Sequence, residues 1–156
     1  MEIKHCMKPQ VVSIPETATI AEAATIVLEK RIGTLPVVDQ DGVLVGVLRL
    51  RDLVKLVMPD FIQLVEDFKF VHDFGAVETR LPSTATLSQS VLDIILDPIS
   101  VDETCGLLRA AAIMYRQNLA DILVVSADGK LVGIASHVDI GVALLSTWNI
   151  SQGGMT

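Results

Sequence analysis

Only three histidines, His5, His72 and His137, and two cysteines, Cys6 and Cys105, occur in the 156 residues. A nucleophilic triad needs a base beside its nucleophile, and none of these histidines stands in a nucleophile or zinc motif. His137 reads as a solvated strand-end residue, with a phosphate contact as the alternative. The cysteines are far apart in sequence and form no CxxC, so they read as reduced, partly buried thiols. There is no P-loop and no GxGxxG opening a helix. Asp41-Gly42 and Asp128-Gly129 are turn chemistry rather than metal loops. Catalysis is therefore not expected, and neither is an obligatory cofactor or metal.

Long apolar runs are lacking too. The longest are far shorter than the roughly 18–20 residues a membrane span requires. Met1-Glu2-Ile3-Lys4-His5 has no signal-peptide pattern behind it, so a cytoplasmic setting without a membrane is expected. Positive charge is in deficit: the net charge is −7, which argues against a general nucleic-acid footprint while allowing a local basic pocket. What the chain has is apolar content, 51% of its residues. That is enough for one compact domain or two small units sharing a core.

It also contains itself twice. Leu35–Asp52 returns as Ile122–Asp139 at an offset of 87 without a gap, and the alignment extends back to Met7 opposite Ile94. Val37/Val124, Gly42/Gly129, Gly46/Gly133 and Asp52/Asp139 are among the identical pairs. A duplicated unit implies packing about a pseudo-twofold axis, with paired clefts at the seam.

Each copy predicts β-α-β-β-α. In the first, Val11–Ile14 is extended and Pro15 ends it. Thr19 and Glu22 have capping-box spacing, Ala21–Arg31 carries a helical apolar face, and Gly33 stops the helix. Leu35–Val38 and Val43–Leu48 flank the Asp41-Gly42 hairpin, and a second helix begins at Asp52. In the second copy the corresponding segments are Ile99–Val101, Thr104–Asn118, Ile122–Val125, Lys130–Ala135 and Asp139–Ser146. The units are therefore residues 1–58, an insert at 59–87, residues 88–146, and a tail at 147–156. The insert holds all four phenylalanines, Phe61, Phe68, Phe70 and Phe74. It reads as a helix hairpin on its own module or as an aromatic surface for a dimer mate or client protein.

In both copies a glycine-containing strand ends in a polar residue and then an aspartate at the mouth of a helix. Asp52 and Asp139 can each cap that helix. Each can also accept from ribose hydroxyls, as acidic residues do in dinucleotide sites.

These strings, Leu35-Pro36-Val37-Val38-Asp39, Leu44-Val45-Gly46, Leu131-Val132-Gly133, Ser136 and Asp139, resemble a pair of CBS domains, a Bateman module. The resemblance covers most of the chain apart from the insert and tail. It implies an α+β (α/β) fold of tandem repeats and a non-catalytic regulatory module. The ligand would be an adenosine nucleotide (AMP, ADP, ATP) or S-adenosylmethionine, bound between the copies. One site would pair Asp139, Ser136 and Ile134 with Ser13, Ala18, Ile32, Gly33 and Pro36. The second would pair Asp52, Arg49 and Val47 with Ser100, Cys105, Leu119, Ala120 and Leu123. The second departs from the family pattern, with Arg49 in place of a hydroxyl and Leu123 in place of proline. Arg49 and Arg51 can hold a polyphosphate, fill the pocket, or pair with carboxylates. The resemblance also implies a homodimer. The alternative is a dimerisation scaffold with vestigial sites that docks a client through the Phe-rich insert.

Overall fold

The computed structural model describes residues 1–69 and 71–150; Phe70 and the end of the tail, residues 151–156, lie outside the described residues. Two three-stranded sheets hold the copies. In the first, β1 (Ile14–Pro15) runs parallel to β2 (Thr34–Val38), which pairs antiparallel with β3 (Leu44–Arg49). In the second, β4 (Ser100–Asp102), β5 (Asp121–Val125) and β6 (Leu131–Ser136) repeat that order. Helices α1 (Ile20–Lys30) and α2 (Leu50–Lys55) belong to the first copy, and α4 (Leu107–Gln117) and α5 (His137–Leu145) to the second. A single helical turn, α3 (Thr84–Leu87), lies between them.

Local chemistry accounts for the boundaries. Thr19 and Glu22 form the predicted capping box on α1: the Glu22 N–H donates to Thr19 Oγ1 at 3.2 Å, and the Thr19 N–H to Glu22 Oε2 at 3.1 Å. Helix α1 does not end at Gly33. It ends at Arg31, which takes the left-handed conformation with φ 52°, and α4 ends the same way at Asn118 with φ 53°. The tight hairpins place Gly42 at φ 81° and Gly129 at φ 77°, where a side chain would be strained. Helices α2 and α5 begin earlier than predicted, at Leu50 and His137, so Asp52 and Asp139 sit in the first turn rather than at the cap. The second copy's first helix begins later than predicted, at Leu107.

The lead-ins cross over. Ile3 is fully buried in the core of the second copy, with Ala110, Ile122, Val124 and Ile140. Val91 is fully buried in the core of the first copy, with Ala23, Leu35, Val37 and Leu48. Backbone bonds fix both crossings: the Ile3 N–H donates to the Cys105 carbonyl at 2.8 Å, and the Val91 N–H to the Ala18 carbonyl at 3.0 Å. Lys8 pairs with Ile134, and Leu96 with Val47. A Cβ at Gly133 would strike Met7, and one at Gly46 would strike Ile95, so these glycines answer to the lead-ins. Ile3, Met7 and Lys8 thus correspond to Val91, Ile95 and Leu96, an offset of 88. This corrects the ungapped alignment of Met7 with Ile94. The linker between lead-in and β1 is one residue longer in the first copy.

Equivalent residues meet along the pseudo-twofold axis. Val43 bridges to Lys130 across the two hairpins. The Leu44 N–H donates to the Gly129 carbonyl, and the Leu131 N–H to the Gly42 carbonyl, each at 3.1 Å. The insert corrects a further expectation. Among its described residues there is no helix hairpin; 3₁₀ turns at Asp60–Leu64 and Gly75–Thr79 precede α3. Phe74 stacks edge-on against Phe61 and Phe68, with ring centroids 5.6 and 6.4 Å apart. Phe61 and Phe68 stay exposed.

Candidate nucleotide site between the copies

At the other end of the axis, Thr34 Oγ1 donates to Asp121 Oδ2 at 3.1 Å. These residues are also 87 apart, so the same position in each copy meets its counterpart. A cleft opens on each side of the contact, and Gly33, Thr34 and Asp121 line both.

The first cleft, about 290 Å³, is walled by Ile32 and Gly33 of one copy, Ile134 of the other, and the linker residues Lys8, Gln10, Val11 and Val12. Gly33 faces open space where a Cβ would stand. Ser136 and Asp139, which are not among the lining residues, lock together at the head of α5. The Ser136 N–H donates to Asp139 Oδ2 at 2.9 Å, and the Asp139 N–H to Ser136 Oγ at 3.0 Å. The Lys8 ammonium stands 3.9 Å from the same Oδ2. Asp139 is held below its ordinary carboxylate value, first by the Ser136 N–H and then by the Ser136 hydroxyl and Lys8; partial burial opposes them. Burial, and secondarily Asp139, pushes the nearby Cys6 thiol up.

The second cleft, about 220 Å³, is walled by Arg49, Arg51, Asn118, Leu119 and Ala120 in addition to the shared residues. The Arg49 N–H donates to Asp52 Oδ2 at 2.9 Å, which repeats half of the Ser136–Asp139 box. Among the described residues no carboxylate lies within ion-pair distance of either arginine.

Of the residues predicted for the first site, the structure brings Ile32, Gly33 and Ile134 to the cleft; Ser136 and Asp139 do not line it, and Asp139 reaches it only through Lys8, 3.9 Å away. Pro36 is buried within β2. Ser13 is half-buried, and Ala18 lies against a separate surface hollow beside Ile14 and Glu22. Of those predicted for the second, Arg49, Leu119 and Ala120 share a wall. Val47, Leu123 and Cys105 are buried, and half-buried Ser100 pairs with Leu123 in the sheet. The Cys105 sulfur meets the Arg109 guanidinium at 3.3 Å. Sequence reasoning missed Thr34, Asp121 and Lys8. The repeat offset itself was a signal for the first two, since equivalent positions must meet on the axis.

Two pseudo-symmetric α+β units with exchanged lead-ins and paired inter-copy clefts define a tandem-repeat module. Residues 2–59 and 91–145 match the CBS domain family model, and the chain belongs to the CBS domain family. It is 32% identical over 148 residues to the chloroplastic CBS domain-containing protein CBSX1 of Arabidopsis thaliana, covering 90% of this chain and 59% of that protein. It is 29% identical over 153 residues to the 5'-AMP-activated protein kinase subunit gamma-3 of Sus scrofa, covering 94% of this chain and 26% of the other. The chain therefore spans little more than half of one relative and about a quarter of the other. Among solved structures, a CBS domain protein from Pyrobaculum aerophilum complexed with AMP superposes with a TM-score of 0.68 at 27% identity, covering 94% of this chain and 99% of that one. CBSX2 from Arabidopsis thaliana gives 0.70 at 25% identity, with 93% and 94% covered.

Proposed function

We propose that this chain is a non-catalytic regulatory module that senses an adenosine-type nucleotide (AMP, ADP, ATP or S-adenosylmethionine) in the cleft between Ile32 and Ile134. The observation that carries the reading is the composition of that wall: both copies contribute, apolar side chains face an open Gly33, and a lysine stands at the rim. Ile32 and Ile134 suit the two faces of a purine. Both contacts of the Asp139 carboxylate fall on Oδ2, which leaves Oδ1 for a ribose hydroxyl. Lys8 supplies charge for a phosphate. The Pyrobaculum aerophilum relative, complexed with AMP, supports the same ligand class. Bound phosphates would alter how the two copies pack, which is how such a module would signal.

Isothermal titration of nucleotide-free protein with these four ligands tests the reading. Saturable binding is expected with at least one. Asp139→Ala is expected to weaken it about tenfold to a hundredfold, the worth of one hydrogen bond to a charged group. No heat from any of them at high micromolar concentration would sink the proposal.

A homodimer belongs to the same reading. It is supported by two equivalent apolar grooves, about 570 Å³ between α1 and α2 and about 510 Å³ between α4 and α5. A second reading, a scaffold that docks a client protein, is favoured by the exposed Phe61–Phe68–Phe74 cluster on the insert.

A further inference from the structure

We infer that the insert docks a cationic amphipathic segment of a partner protein. The segment's apolar side chains would seat on the Phe61–Phe68–Phe74 cluster, and its lysines or arginines would meet the carboxylates beside those rings. The inference rests on the scaffold reading above and names the partner chemistry that reading leaves open. It is independent of the nucleotide.

An aspartate immediately precedes three of the four phenylalanines, in Asp60-Phe61, Asp67-Phe68 and Asp73-Phe74. Those three are the rings the fold gathers, with Phe74 edge-on to Phe61 at 5.6 Å and to Phe68 at 6.4 Å. Gathering the rings therefore gathers their aspartates. Phe61 and Phe68 are exposed, as is Leu64 on the turn that carries Phe61. None of the three rings belongs to either core, so the cluster is apolar surface that the chain itself leaves uncovered.

The carboxylates are exposed too, and local bonds hold them at the cluster. Asp67 Oδ1 accepts the Lys69 N–H at 2.9 Å, Asp73 Oδ1 accepts the Gly75 N–H at 2.8 Å, and Glu78 Oε1 accepts the Phe74 N–H at 3.0 Å. In each, the second oxygen has no protein donor among the described residues. Nor does any cation stand within ion-pair distance of Asp60, Asp67 or Asp73 among them. Acidic groups outnumber Lys69 and Arg80 in the insert. Exposed aromatic rings attract cations to their faces, and neighbouring carboxylates reinforce that attraction. The same charge turns away the other occupants of an apolar patch: anionic lipid, nucleic acid, and a second copy of a chain whose net charge is −7.

The test is an amide NMR titration of the full chain, at low salt, with two synthetic amphipathic peptides of one helical pattern, one of leucine and lysine and one of leucine and glutamate. Saturable shifts centred on Phe61, Phe68 and Phe74 are expected with the lysine peptide alone, and binding should weaken as salt rises. Phe68→Ala is expected to weaken it about tenfold or more. So is the triple change Asp60→Asn, Asp67→Asn and Asp73→Asn, which keeps a side-chain oxygen for the backbone bonds. The urea midpoint should stay unchanged in both variants, because the cluster lies outside the cores. Shifts spread over the acidic surface, or affinity indifferent to either variant, would overturn the inference. Equal binding of the glutamate peptide at the same rings would overturn it while leaving the scaffold reading intact. Self-association that sedimentation shows to be lost in Phe68→Ala, or Phe68-dependent binding to phosphatidylglycerol vesicles, would assign the surface to another occupant and overturn it. No shifts in the insert with either peptide would remove both readings.

Discussion

Asp139 serves the fold before any ligand arrives. Its carboxylate closes the capping box on α5, and the Ser136 N–H holds it below its ordinary value. A carboxylate lowered on folding adds stability that is complete above the unfolded value, near 3.8. That stability is lost as pH falls through the lower folded value. The difference in urea midpoint between the wild type and Asp139→Asn should therefore be constant from neutral pH down to about pH 5, and should shrink on further acidification. A difference that persisted unchanged to pH 2 would contradict the assignment. Arg49 shows the same position filled to another end. It keeps the backbone half of the box with Asp52, gives up the hydroxyl, and puts a cation in the cleft. That substitution was legible in the sequence as a departure from the repeat. The absence of a carboxylate partner among the described residues was not, because partnership depends on which side chains the fold brings within reach.

At the scale of elements, the short-range signals were readable. The Thr19/Glu22 box, the two Asp-Gly hairpins and the apolar periods of α1 and α4 are local chemistry, and local chemistry is written in consecutive residues. The crossing of the lead-ins was not readable. Ile3 and Val91 carry no mark that says which core receives them, and the one-residue difference in linker length shows only once Met7 and Ile95 are seen against Gly133 and Gly46. The insert misled for the opposite reason. Pro59-Asp60 is a good helix start, but Leu64 and Leu81 remain exposed; with no core face to pack against, the segment settles into short turns. The crossing has an energetic consequence. Ile3→Ala removes a fully buried side chain from the second copy's core and should cost about 2–5 kcal/mol. Because each copy is completed by the other's lead-in, urea should still unfold the variant in one transition shifted as a whole. Two transitions, with only one displaced, would show that the copies fold independently.

For the whole molecule, the duplication sets the symmetry and the differences between copies make the two clefts unlike. Thr34 meets Asp121 where a symmetric pair would place like residues, Lys8 stands where the other copy has Leu96, and Arg49 stands where the other has Ser136. A chain with two equal halves would offer two equal clefts; this one offers an apolar cleft with a lysine at its rim and a basic cleft beside it. These differences matter to function only if a nucleotide binds between the copies. The most direct test is an amide NMR titration of the nucleotide-free chain with AMP. Shifts centred on Lys8, Ile32, Gly33, Thr34 and Ile134, with the insert and the helix grooves unmoved, are the predicted result. Saturable shifts centred on the grooves or on Phe61 and Phe68, or no shifts at all, would contradict it.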